Sequence, residues 1–178
     1  MDTSPTTYFK EYNFAESLVQ RIDSQPELGQ LEIILNYMGF VRTIARPLDD
    51  PTLQDPTDFR RLVFSDVTQL ARTDYRFNVG FLDFDPTNFN LSETDSISPV
   101  LVEAAEVRKI VDARRTVARY TARAYMGSVG TYGFEFGSLS VDQRLVKTVP
   151  LSGCESMHFD YHTGQRIDYL NPFSEKEK

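Results

Sequence analysis

The chain has 178 residues, with 13 Phe, 9 Tyr and no Trp, and its formal charge at pH 7 is −7. This length allows one domain with a sizeable core and is short for two. The acidic charge argues against a general nucleic-acid-binding protein, which usually carries net positive charge, and the single cysteine, Cys154, excludes an internal disulfide and a cysteine-based zinc site.

Residues 1–12 are predicted to form an N-terminal arm. The stretch SPTT disfavours regular structure, whereas the aromatic side chains of Tyr8, Phe9 and Tyr12 are costly to leave in water. We expect these three residues to bind a partner, and the alternative is that they pack on their own domain. The layout of this end is not that of a signal peptide and no apolar run reaches the roughly 20 residues that span a bilayer, so we expect a soluble protein.

Four segments carry apolar residues at the three- and four-residue spacing of a helix with one buried face. They are residues 14–22, 27–38, 57–74 and 99–127. Ser98 is a candidate N-cap of the last and longest helix, and Gly127 is its candidate end. Between these segments, residues 47–56 and 85–97 are predicted loops and residues 75–84 a predicted strand.

The remainder of the chain favours extended structure. Residues 128–140 place glycines between aromatic side chains, which favours an extended loop or irregular strand. Residues 143–151 are a candidate strand, and residues 156–170 are typical of a hairpin that turns at Thr163 and Gly164. We predict an α+β, mainly α fold: a bundle of three to four helices over residues 13–128, with a small C-terminal β-hairpin or extended region. Residues 129–178 would be a strand-like extension or arm, and its expected partner-binding anchors are Phe159, Tyr161, Tyr169 and Phe173.

Charged residues line one face of the longest predicted helix. These are Arg108, Asp112, Arg115, Arg119 and Arg123. Such a ridge is a solvated face, a phosphate-binding surface, or a seam that pairs with the acidic surface of an identical neighbour. The seam explains the ridge and the net charge together, and we expect these residues to face another subunit or a nucleic acid.

Support for catalysis is thin. His158, Asp160 and His162 alternate on a predicted strand and could hold a metal, although the wet face of a hairpin has the same pattern. Cys154 and His158 lack an orienting third group. The glycines of residues 127–137 follow a predicted helix, whereas phosphate-binding loops precede one. We therefore expect no enzyme and no catalytic, metal or cofactor site.

Three segments together show a family resemblance. ELGQLEIILNYMGFVRTIARPLDDPTLQD, DFRRLVFSDVTQLARTDYRFN and VDARRTVARYTARAYMGS resemble, in this order, the head-to-tail adaptors of short-tailed bacteriophages, also called tail tubular protein A or gatekeeper. The resemblance covers roughly residues 27–128. It implies a virion protein, assembled in the host cytoplasm and not bound to a membrane. It also implies a homo-oligomeric ring, usually of twelve copies, that binds portal and tail proteins and lines a channel through which the genome DNA passes without sequence-specific binding.

A second likeness leads to a different particle. RKIVDARRTVAR followed by GTYGFEFGSLSV is similar to the coat proteins of rod-shaped plant RNA viruses, in which an Arg/Asp helix meets RNA. The number of predicted helices and the absence of tryptophan depart from that family. A helical RNA-virus coat protein and a non-viral interaction module therefore stay open as alternatives, because fold and charge alone do not determine function.

Overall fold

The computed structural model describes residues 4–37, 56–73, 100–126 and 130–174, and the statements below concern these residues. This part of the chain is built from antiparallel strands and contains one short α-helix, α1 (Pro5–Glu11). The strands are β1 (Leu18–Gln25), β2 (Gln30–Asn36), β3 (Thr57–Ser65), β4 (Thr68–Thr73), β5 (Val100–Lys109), β6 (Tyr120–Met126), β7 (Gly130–Phe136), β8 (Ser138–Pro150) and β9 (Ser156–Asp160).

The strands form two antiparallel sheets that share their bent strands. The hydrogen-bonded order is β4-β7-β6-β5-β1-β2-β3-β8-β9. Strand β3 continues into β4 after two residues, and β7 continues into β8 after one residue. Strand β3 pairs with β8 in one sheet, and β4 pairs with β7 in the other. Both segments of the chain therefore pass from one sheet to the other at the same corner. The two sheets therefore face each other across one core.

The corner depends on two backbone features. Asp66 has a φ of 55°, in the left-handed region, and the Gly137 N–H donates a hydrogen bond of 2.9 Å to the Ser65 carbonyl. A Cβ on Gly137 would lie 2.8 Å from Asp66 Oδ2, closer than ordinary contacts allow. A side chain at position 137 would therefore require the Asp66 side chain to move away.

The core between the sheets is rich in aromatic rings. The ring of Phe64 on β3 packs edge to face against Phe134 and Phe136 on β7, at 4.9 Å between ring centres in both cases. The buried members of this cluster are Phe14, Val19, Ile22, Leu31, Ile33, Leu35, Tyr37, Leu62, Phe64, Val102, Tyr120, Ala122, Met126, Tyr132, Phe134 and Phe136.

A second, smaller cluster holds the C-terminal segment. Phe59 and Val146 are fully buried beneath Ile167, with Tyr169 and Phe173 packed against them. Arg144 reinforces this arrangement, since its guanidinium donates to the Pro172 carbonyl and pairs with Asp160 at 3.5 Å. The last described residues therefore lie against the pair β3 and β8.

The predicted mainly-α bundle is wrong, because strands occupy each of the four predicted helical segments. The predicted long helix is β5, a ten-residue loop and β6. Two β-bulges explain much of the error. A bulge between Val19 and Arg21 places the core residues Val19 and Ile22 three positions apart. A bulge in β5 does the same for Val102 and Ala105. One extra residue converts the alternation of a strand into helix-like spacing.

In β3 two buried polar residues obscure the alternating pattern of a strand. Asp58 and Arg60 are buried on the same side of β3 as Leu62 and Phe64. Their polarity interrupts the alternation that the pattern of apolar residues would otherwise show. The predicted strand at residues 75–84 and the loops at 47–56 and 85–97 lie outside the described residues, except for Pro56.

Two local predictions in the C-terminal part agree with the structure. The candidate strand at residues 143–151 falls within β8 apart from its last residue. The hairpin after β9 turns where expected: Gly164 has a φ of 70°, and Phe159 and Arg166 form an antiparallel bridge. The glycine-containing stretch, predicted as an extended loop or irregular strand, is instead regular strand over Gly130–Phe136 and from Ser138 onward.

Candidate functional site

Positive charge is concentrated at the connection between β5 and β6. Residues 108–119, here called the basic hairpin, contain five cationic side chains and one carboxylate, that of Asp112. The cations are Arg108, Lys109, Arg114, Arg115 and Arg119. This segment carries a net charge opposite to that of the chain as a whole.

The loop of the basic hairpin is organised by local hydrogen bonds. Lys109 pairs with Tyr120 at the ends of the two strands, and the Ile110 N–H donates to the Arg119 carbonyl at 2.8 Å. Asp112 then stabilises a turn, since its Oδ1 accepts the Arg114 N–H at 2.9 Å.

Two of the cations attach the loop to the rest of the fold. Arg119 donates to Thr68 Oγ1 at 2.8 Å and to the Asp66 carbonyl at 3.0 Å. Glu135 on β7 pairs with both Arg115, at 3.5 Å, and Arg119, at 3.7 Å. These contacts hold the loop near the corner where β3 becomes β4.

The other cations are available to a partner. Within the described ranges, no ion pair involves Lys109 or Arg114, and Arg108 pairs with Glu106 while its side chain stays 77% exposed. Two apolar side chains stand beside them: Val111 is 96% exposed and Val117 71% exposed. Large apolar groups so fully open to water, next to unpaired cations, are typical of a contact surface.

The five residues of the predicted charged ridge lie in three different elements of the structure. Arg108 ends β5, Asp112, Arg115 and Arg119 belong to the loop, and Arg123 lies within β6, where its guanidinium donates to Tyr125 Oη at 3.0 Å. The ridge prediction omitted Lys109 and Arg114, together with the exposed valines. The sequence feature that indicates a hairpin loop here is Asp112, a residue type common in turns, followed by cations and Thr116.

The aromatic residues of the predicted N-terminal arm pack on their own domain. Tyr8, Phe9 and Tyr12 all contact the main core cluster. Helix α1 begins at Pro5, with Ser4 Oγ accepting the Thr7 N–H, so the SPTT stretch starts a helix instead of preventing one. In the described residues these rings face the core, which matches the alternative that they pack on their own domain and not on a partner.

A buried arginine joins this arm to β3. The Arg60 Cζ lies 4.3 Å from the centre of the Tyr12 ring and 4.1 Å from that of Tyr37, and Arg60 donates to Tyr8 Oη at 2.8 Å. Burial raises the pKa of the Tyr8 hydroxyl, and the hydrogen bond from Arg60 opposes this effect.

The charge of Arg60 is balanced inside the protein. Asp58 pairs with it at 3.1 Å, and both oxygens of that carboxylate also accept from Gln143 Nε2 at 3.1 Å. Among the described residues, each fully buried side-chain polar atom has a hydrogen-bond partner. This cluster is an internal support for the fold, because its hydrogen-bonding groups are already used.

Of the four predicted C-terminal anchors, Tyr169 and Phe173 belong to the second core cluster and Phe159 is half-buried, while Tyr161 is 55% exposed. His158 Nδ1 lies 3.0 Å from Thr148 Oγ1, and its ring packs on Tyr169 at 4.4 Å. In the described ranges no three residues gather as a metal site, and Cys154 is exposed.

Asp160 supports the turn that follows β9. Its Oδ1 accepts the N–H groups of His162, at 2.9 Å, and Thr163, at 2.8 Å. Burial raises the pKa of the Asp160 carboxyl, but these hydrogen bonds and the positive charge of Arg144 outweigh it and hold the pKa below its ordinary value. The predicted alternation of polar residues here therefore forms a structural turn.

An apolar cavity lies between the sheets below α1. Its volume is about 30 Å³. Phe9 and Phe14 cover one end, and the small side chains of Ala105, Ala122 and Ala124 line the β5 and β6 side. The cavity is an extension of the core that α1 helps to close.

Neither the models of known protein families nor the curated proteins of established function contain a match to this sequence. In the part of the chain that the structure describes, no helix has the length and apolar character needed to cross a bilayer.

Proposed function

We propose that this protein is a non-enzymatic structural subunit that binds an acidic protein surface through the basic hairpin. The observation that carries the proposal is the segregation of charge: five cations and two exposed valines stand at one hairpin on a chain of net charge −7. Such a surface gains most from a partner that supplies carboxylates around an apolar contact.

A protein partner is favoured over a nucleic acid. A phosphate backbone would engage the cations alone, and exposed charges act over only about 8–10 Å in physiological salt. Val111 and Val117 also gain little from phosphates, whereas a protein surface can bury them.

The hairpin is ordered before any partner arrives. Glu135 holds Arg115 and Arg119, and Arg119 also bonds to Thr68. Because the loop is already attached to the sheets, less conformational entropy is lost when its tip binds.

The viral identity stays a prediction within this proposal. The segments that carry the resemblance to phage adaptors contain strands and no α-helix where the structure describes them, so predicted helix order no longer supports it. Electron microscopy of the purified chain, alone and with a portal, would show a ring, a rod or neither.

Binding to poly-L-glutamate tests the proposed hairpin surface. We expect the wild type to bind this acidic polypeptide at about 50 mM salt and to lose the interaction at about 300 mM, since exposed charges are then screened. Arg114→Glu should weaken binding about fivefold or more, because it places a carboxylate at the centre of the contact. Isothermal titration calorimetry measures both effects.

The matched control is Lys147→Glu, the same change at an exposed position of β8. It alters the net charge equally but leaves the basic hairpin intact, so affinity should stay near that of the wild type. Equal losses in the two variants, or tighter binding to short duplex DNA than to polyglutamate, would contradict the proposal.

A further inference from the structure

We infer that the acidic surface is carried by a second copy of this chain and that the copies join head to tail. This inference rests on the proposed function of the basic hairpin. It adds the identity of the partner and the symmetry of the contact.

Charge complementarity identifies the partner. The hairpin contributes four net positive charges to a chain of net charge −7, so the other 166 residues together carry eleven net negative charges. A second copy therefore offers an abundant opposite charge to the hairpin. It is present at the same concentration wherever the chain is made, which favours association by mass action.

Charge also decides the symmetry. A two-fold dimer brings the same surface patch of both subunits together. If the hairpin tips met in this way, Arg108, Lys109 and Arg114 of one copy would face the same cations of the other within a Debye length, which is unfavourable. In the head-to-tail contact the hairpin instead meets a different, acidic part of its neighbour. Contacts of this kind made in one direction close into a ring or grow as an open filament, and two of them made reciprocally close a two-fold dimer.

The size of the tip predicts weak association. Stable interfaces bury about 800 Å² per partner, and the main apolar contributors of the hairpin tip are Val111 and Val117. Assembly should therefore depend on concentration and decrease with salt.

Sedimentation velocity over a concentration series tests this inference. The wild type should form species larger than a monomer at about 50 mM salt and dissociate at about 300 mM. Arg114→Glu and Val111→Ser should each lower the association constant about tenfold, whereas Lys147→Glu should leave it within about twofold. Val111 is exposed, so its replacement removes contact area without disturbing the core.

A mixing experiment separates the two symmetries. In head-to-tail assembly the Arg114→Glu copy still accepts a wild-type hairpin but cannot extend further, so small additions should shorten wild-type assemblies more than dilution does. If the wild type instead binds the Arg114→Glu copy more tightly than it binds itself, the opposite charges of the two tips are attracting each other, the contact is tip to tip and the inference is wrong.

The failures of the two proposals are distinguishable. A wild type that stays monomeric at every concentration in low salt overturns head-to-tail assembly. If that monomer still binds polyglutamate through the basic hairpin, the proposed function stands and the partner is a different protein. If it binds neither, both proposals fail.

Discussion

Arg60 shows how much a single side chain contributes to closing this fold. It is 5% exposed, it lies between two tyrosine rings, and its charge is balanced by Asp58, which is 1% exposed. Two charges in such a position are tolerated because further hydrogen bonds complete the network: Arg60 donates to Tyr8 Oη, and Gln143 donates to Asp58. Each group depends on the others, since removing one leaves a buried charge unpaired.

The neighbouring arginines of β3 allow a matched test of this dependence. Arg60→Ala should lower the free energy of unfolding by about 3–5 kcal/mol, because Asp58 would keep an uncompensated buried charge. Arg61→Ala removes a half-exposed ion pair with Asp142 and should cost about 1 kcal/mol or less. Urea unfolding followed by circular dichroism measures both, and equal losses would contradict the central role of Arg60.

At the scale of elements, the turn after β9 is stabilised by an ionised carboxylate. Asp160 accepts two backbone N–H groups and pairs with Arg144, which also holds the C-terminal segment through the Pro172 carbonyl. Because these contacts favour the charged form, the pKa of Asp160 is lower in the folded protein than its ordinary value of 3.8. Its stabilising contribution is therefore present above that value and is lost as the pH falls through the lowered pKa.

Asp160→Asn tests this contribution. At neutral pH the variant should unfold with about 1 kcal/mol less free energy than the wild type, since an amide keeps the turn hydrogen bonds but not the charge. The difference should disappear at a pH below the folded pKa of Asp160. Thermal unfolding from neutral to strongly acidic pH measures it.

The control for this variant is Asp168→Asn. Asp168 accepts the Leu170 N–H at 3.0 Å and makes no ion pair within the described residues. Its amide variant should match the wild type at neutral pH within about 0.5 kcal/mol. A gap between Asp160→Asn and the wild type that stays constant down to strong acid would show that the carboxylate charge is not the cause.

At the scale of the whole molecule, the two sheets share strands along one corner, and α1 covers the cavity between them. The helix adds Tyr8 and Phe9 to the core, and Phe9 lines the cavity. A seven-residue helix is marginal in isolation, so tertiary contacts and its Ser4 cap must stabilise it. The N-terminal segment is thus part of the domain.

Deleting residues 1–12 should lower the free energy of unfolding by about 4 kcal/mol or more, since several large side chains leave the core and each contributes about 1.5–3 kcal/mol. The deletion should also raise the fluorescence of an apolar dye, because the cavity opens. Lys10→Ala, at an exposed position of the same helix, should change neither quantity. Unchanged stability after the deletion would instead support a detachable partner-binding arm.

Local sequence determined several features correctly. The hairpin at Thr163 and Gly164 was predictable because Gly164 adopts a positive φ that few other residues accept. The strand content of β8 followed from its β-branched residues. The concentration of cations at residues 108–119 is also a property of the sequence alone, although their placement on a helical ridge was wrong.

The choice between helix and strand was decided by tertiary structure. The bulges in β1 and β5 are single extra residues accommodated by neighbouring strands, and they give core residues the spacing that a helix would have. Asp58 and Arg60 are polar residues inside the core, made tolerable by partners as distant in the chain as Tyr8 and Gln143.

For the basic hairpin, too, some features follow from the sequence and others only from the fold. The sequence determined that positive charge and two valines lie close together between residues 108 and 119. Only the fold decided which cations are used internally, because Arg115 and Arg119 meet Glu135 across the sheet while Arg114 has no ion pair in the described residues. Contacts between residues distant in sequence depend on how the strands pair, and local periodicity carries no information about that pairing.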